Sequence, residues 1–130
     1  MTAAKRDLYI EQGATFQLSF TWHEGSAENV GPTVDLTGCI VRMQIRKKQQ
    51  DPPICDASSE GANPEIVLGG TEGTITVTMS ADDTGAMNIR TGVYDLEVEF
   101  PDGTVYRLLE GTATVSPNIT QESDDPVVGA

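Results

Sequence analysis

The single histidine, His23, is the natural starting point for any acid–base chemistry in this chain. It follows Trp22 at the end of an alternating segment and stands beside Glu24 and Gly25. Nucleophilic catalysis needs a base set against a nucleophile and held in place by a third group, and one histidine in a turn supplies none of these by spacing. Cys39 and Cys55 are too few for a disulfide framework or a thiolate zinc site. They could be bridged only if the segment carrying Cys55 folded back, and a reducing compartment disfavours this. Asp82-Asp83 and Asp124-Asp125 are adjacent pairs, whereas a calcium loop alternates its carboxylates around a glycine. No helix follows Gly69-Gly70, so these glycines do not make a phosphate cradle. Asn118-Ile119-Thr120 is a glycosylation sequon, which matters only in a secretory pathway. The expectation is a protein with no catalytic constellation, no cofactor and no metal.

Charge narrows the partners. Eight Lys and Arg stand against 20 Asp and Glu, giving a net charge of −12 in 130 residues. Such a chain is repelled by phosphate, which argues against nucleic acid and anionic lipid as partners. Four of the basic residues, Arg42, Arg46, Lys47 and Lys48, fall in one segment. They could form a patch for a polyanion, or the basic half of a charge-matched sheet face. Acidic residues dominate after Gly92, which favours the matched face. No apolar run is long enough to span a bilayer. The residues after Met1 lack the apolar core of a secretory signal.

The elements that must position these residues follow a period of two. Phe16, Leu18, Phe20 and Trp22 alternate with Thr15, Gln17, Ser19 and Thr21, which predicts a half-buried strand over 14–22. The same pattern places Cys39, Val41, Met43 and Ile45 inside a strand at 38–46. Ile75, Val77 and Met79 lie inside a strand at 73–79, and Tyr94, Leu96, Val98 and Phe100 inside one at 93–100. Two further segments, 104–109 and 112–116, close the chain, and 7–11 and 65–68 read as short edge strands. Ser80 caps one helical turn that Gly85 stops. The stretch 47–64, rich in Gln, Pro, Asp and Ser, reads as a long surface loop. Thirteen glycines and seven prolines fit many turns between short strands. The fold expected is all-β: an immunoglobulin-like β-sandwich of about seven to eight antiparallel strands over residues 1–117, with an acidic tail at 118–130.

A register follows from the turn at Pro101-Asp102-Gly103. A two-residue loop would oppose Val98 to Arg107 and drive the arginine inward. A three-residue loop opposes Val98 to Tyr106 and Glu97 to Arg107, keeping both inner faces apolar. The second is expected, with Gly103 in the left-handed region. The immunoglobulin-like order sets strand 38–46 beside strand 93–100, so Arg42 and Arg46 face Asp95, Glu97 and Glu99. Tyr94, two residues before Leu96, occupies the tyrosine-corner position of that fold.

An ordered set of short motifs runs along the chain: Ile10-Glu-Gln-Gly13, Asp35-Leu-Thr-Gly38, Gly73-Thr-Ile-Thr-Val77, Gly92-Val-Tyr-Asp-Leu-Glu-Val98 and Asp102-Gly103. Over about residues 7–117 it resembles the N-terminal immunoglobulin-like domain of phage baseplate upper proteins, and small structural proteins of phage tails. The resemblance implies a non-enzymatic virion structural protein, made in the host cytoplasm, that attaches baseplate or tail-fibre components. Its partners would be other virion proteins in a symmetric, multi-copy assembly. No counterpart of the trunk that follows the domain in that family is expected in these residues. A capsid decoration protein and a carbohydrate-binding β-sandwich module are the alternatives. Sugar platforms need exposed aromatics, and Trp22, Tyr9, Tyr94 and Tyr106 fall mostly on inner or edge positions. The residues expected to contact partners lie at the chain ends and in the long loop: Lys5, Arg6, Lys47, Lys48, Ile54, Ile119, Val127 and Val128.

Overall fold

The computed structural model describes residues 3–25, 28–62, 64–117 and 119. Eleven strands, a 3-10 turn and one α-helical turn succeed one another among the described residues: β1 (Ala4–Lys5), β2 (Leu8–Glu11), β3 (Phe16–Thr21), β4 (His23–Gly25), β5 (Val30–Thr33), β6 (Ile40–Arg46), β7 (Pro53–Ser58), β8 (Ile66–Leu68), the 3-10 turn (Gly70–Glu72), β9 (Thr74–Met79), α1 (Ala81–Gly85), β10 (Thr91–Glu99) and β11 (Val105–Ser116). The fold is all-β. The larger sheet runs β1-β11-β10-β6-β7, with β2 beside β11, and the second sheet runs β3-β9-β8. β4 and β5 form a separate hairpin.

Buried side chains from both main sheets form one cluster. Val41, Met43 and Ile45 of β6 meet Ile75, Val77 and Met79 of β9, together with Leu96 and Val98 of β10, all at most 1% exposed. Each lies on the inner phase that the alternation assigned, because one face of each strand must leave water. Phe16 and Phe20 depart from expectation: both are only half-buried. Their strand, β3, has β9 on one side and no strand on the other among the described residues, so their rings lie along the open side of the core. Trp22, Phe100 and Tyr106 close one end of the core as a mutually tilted trio with ring centroids 5.7–5.9 Å apart.

The turn after β10 adopts the three-residue form. Val98 opposes Tyr106 and Glu97 opposes Arg107. Gly103 has φ 90°, and the Asp102 carboxylate accepts from the Thr104 amide at 2.9 Å. Beyond Arg107 the register shifts, because Leu96 opposes Leu109 and leaves Leu108 as the extra residue of a bulge. Leu108 and Leu109 are consequently both buried. The bulge explains why two segments were expected: the alternation changes phase, but the strand itself is continuous.

Three further expectations are corrected. Residues 47–64 are not one loop, because β7 lies within them and pairs antiparallel with β6. The strands are not all antiparallel, because β1 and β2 both run parallel to β11 in a single register, Ala4 beside Leu109 and Leu8 beside Ala113. Tyr94 does not make a local corner: its hydroxyl donates to the backbone carbonyl of Arg6. Tyr94 stands opposite Gly111, and a β-carbon there would collide with the Arg6 carbonyl, so the glycine is what allows this close approach. The helical turn is as expected, with the Ser80 hydroxyl accepting from the Asp83 amide at 3.1 Å.

Candidate functional site

The outer face of β6, β10 and β11 forms a depression of about 740 Å³ lined by Arg42, Gln44, Arg46, Asp95, Glu97 and Arg107 among others. Strand alternation puts these polar side chains outside for the same reason that it puts Met43 and Leu96 inside. Arg42 pairs with Glu99 at 2.8 Å. Arg107 reaches Asp95 at 3.4 Å and Glu110 at 3.6 Å. Glu97 opposes Arg107 in the ladder, yet the ion pairs of Arg107 go to those other carboxylates. Arg46 donates to the Asp51 carbonyl at 2.6 Å and to the Gln44 side chain at 2.8 Å. The guanidiniums are thus engaged within the face, which reads as a charge-matched sheet surface rather than a polyanion site. The pairs are exposed, so each contributes under about 1 kcal/mol. Asp95 was expected on this face as a partner of Arg42 or Arg46, but its pairing with Arg107, and Glu110 altogether, were not legible, because the bulge decides which carboxylates Arg107 can reach.

The expected contact residues do not converge. Lys5 and Arg6 lie at the β1 edge of the larger sheet. Lys5 pairs with Glu110 at 3.6 Å, and the Arg6 amide donates to the Glu110 carbonyl at 3.0 Å. This segment is therefore built into the sheet rather than left as a free arm. Lys47 and Lys48 are exposed after β6, and Ile54 is 37% exposed on β7, at the opposite edge. Four strand spacings separate β1 from β7, roughly 19 Å. Ile119 is 98% exposed. Val127 and Val128 lie outside the described residues.

The remaining chemistry-bearing groups have structural partners. A ring nitrogen of His23, Nδ1, lies 3.1 Å from the Gly31 carbonyl within the β4–β5 hairpin. Cys39 and Cys55 are both free thiols. Burial pushes Cys55 up to about 11, helped by the nearby charges of Asp83, Glu65 and Asp56. Its Sγ rests 3.4 Å from Met79 Sδ. That is an inert environment, far from the electropositive setting of a reactive cysteine. Thr84 is fully buried, but its hydroxyl accepts from the Gly13 amide at 3.0 Å and donates to the Ala14 carbonyl at 2.8 Å, locking α1 onto the turn before β3. Asp7 accepts from the Thr112 amide at 3.1 Å, which holds its carboxyl below the usual range. Among the described residues, no three His, Cys, Asp or Glu side chains are grouped to hold a metal ion, and no helix is long and apolar enough to cross a membrane. No family model matches the chain, and no curated protein matches it as a relative.

Proposed function

We propose that the chain is a non-enzymatic structural protein of a tailed-phage virion, an immunoglobulin-like adaptor that attaches baseplate or tail-fibre components. The observation that carries this reading is the strand order. β1 and β2 lie beside β11, followed by β10, β6 and β7, while β3, β9 and β8 make a second sheet that shares its buried cluster; this order supports an A, G, F, C, C′ and B, E, D reading of the strands. The ordered motifs between Ile10 and Gly103 are those of the tail-protein resemblance and fall on these strands and their turns. Fold alone does not fix function. The second support is exposure: Lys47, Lys48, Ile54 and Ile119 face solvent, where other proteins could reach them. The chain would be made in the host cytoplasm and would work in the particle.

The test is quantitative mass spectrometry of purified tailed particles encoded alongside this gene. The expected result is incorporation in a three-fold or six-fold multiple per tail. A copy number tied to capsomers would move the protein to capsid decoration. Its complete loss from particles would overturn the virion reading.

A further inference from the structure

Every open sheet edge offers unpaired backbone groups to another strand, and proteins ordinarily guard such edges with charge, proline, bulges or brevity. The edges of this fold differ in that respect. β7 carries Pro53 and Asp56 and has a register break beside Pro53. β8 has only three residues. β2 follows Asp7 and ends on Glu11. β3 has six residues with no charge, no proline and no register break against β9.

The outward groups on β3 can be assigned. The Trp22 amide donates to the Gly73 carbonyl, so even-numbered residues along β3 direct their backbone groups toward β9. Gln17, Ser19 and Thr21 therefore point their N–H and C=O groups away from the sheet. Their side chains are exposed. Those of Gln17 and Ser19 bond back to Thr78 and Thr76 at 3.4 and 3.1 Å, which leaves the backbone edge clear among the described residues.

We propose that this edge pairs with the same edge of a second copy of the chain, antiparallel, about a two-fold axis through Ser19. In that register Ser19 meets Ser19 of the second copy, and Gln17 meets Thr21. All three outward donors and all three outward acceptors of each copy are then bonded. The intervening positions match as well. Phe20 falls beside Leu18 of the second copy and Phe16 beside Trp22, so the half-buried rings of β3 extend one apolar face across both copies. Length and the absence of charge together select this edge over the others. Each copy carries −12, so two copies repel unless they meet where charge is missing, and residues 14–22 contain none. A single strand pair buries less than a standard interface, so association is concentration-dependent. The inference goes beyond the virion reading and does not need it; particle composition can fail as a test while this pairing stands, and the reverse.

Sedimentation equilibrium on the purified chain over a dilution series, with residue-resolved hydrogen exchange, tests the proposal. Ser19→Lys sets two like charges on the axis, and Val67→Lys on β8 is the control. The expected result is a mass of two chains at the top of the series, with protection of the Gln17, Ser19 and Thr21 amides that rises with concentration. Ser19→Lys should return the mass of one chain with an unchanged melting temperature, and Val67→Lys should stay paired. One-chain mass up to the solubility limit overturns the proposal. So does a dimer that survives Ser19→Lys or is lost in Val67→Lys. Protection of the three amides at one-chain mass also overturns it, because the edge is then covered from within the same chain.

Discussion

Tyr94→Phe removes one hydroxyl and leaves the ring packing in place, so it isolates the bond between β10 and the N-terminal segment. Tyr94 is 4% exposed, and its hydroxyl donates to the Arg6 carbonyl. On either side of Arg6, β1 holds to β11 through the Ala4–Leu109 and Lys5–Glu110 pairs, and Asp7 accepts from the Thr112 amide. A net hydrogen bond contributes about 0.5–1.5 kcal/mol. Arg6 is exposed, so water replaces the lost donor and the cost falls in the lower half of that range, about 0.5–1 kcal/mol. For a domain of this length that lowers the melting temperature by about 2–4 °C. Locally the effect is larger in proportion, because few contacts hold β1. A loss of about 1 kcal/mol speeds opening of this segment roughly fivefold. Hydrogen exchange should therefore show faster exchange at the Arg6 and Thr112 amides, while Leu96 on the same strand as Tyr94 follows only the small global change. Unchanged exchange at Arg6 and Thr112 would refute the assignment of this hydroxyl as the tether. A melting loss as large as that of a core truncation would refute it too.

Other perturbations have equally definite outcomes. Leu96→Ala, at a side chain that is 0% exposed between Met43 and Leu109, should cost about 2–5 kcal/mol in urea unfolding. In a double-mutant cycle the Arg42–Glu99 pair, 43% and 36% exposed, should couple by under about 1 kcal/mol and lose that coupling in high salt. Cys55 should alkylate slowly near neutral pH and faster toward its value of about 11. Since folding raises this thiol, its contribution to stability is full below the unfolded value near 9 and is lost as the pH climbs through about 11; Cys55→Ser should flatten that alkaline decline. Asp7 behaves in the opposite sense. Its lowered carboxyl stabilises the fold above the ordinary carboxylate value and ceases to do so as the pH falls through the lowered one, so acid should deprotect Thr112 before the Leu96 amide.

What could be read from the chain alone was what burial writes into alternation. β6, β9 and β10 each have one face sealed, so Val41, Val77 and Leu96 announce their phase. The Pro101-Asp102-Gly103 turn fixed the β10–β11 register because only one loop length kept Arg107 outside. The elements that were missed bury little. β4 is exposed throughout and β5 nearly so, and they carry no period. β7 buries only Ala57, and its Pro53 and Asp56 look like loop residues. Parallel pairing of β1 and β2 was invisible because side-chain period does not encode strand direction. The contact residues were chosen for lying at the chain ends and in a supposed loop. Lys5 proved to be a strand residue and Arg6 the backbone link between β1 and β2, held because Gly111 and Tyr94 make a seat for the Arg6 backbone that no local pattern signals.

The parallel alignment of the first and last strands determines how the domain answers to force. Ala4 lies beside Leu109 and Glu11 beside Ser116, so a pull between the two ends acts along the strands rather than across them. The six paired positions that join β1 and β2 to β11 are then loaded together in shear instead of peeling one at a time. Tension must break that whole seam before it reaches the β10–β6 centre of the sheet, and the Tyr94 tether sits midway along it as a cross-pin. Drawn from its ends, the domain resists as a clamp; drawn from the β6–β7 edge, it would unzip.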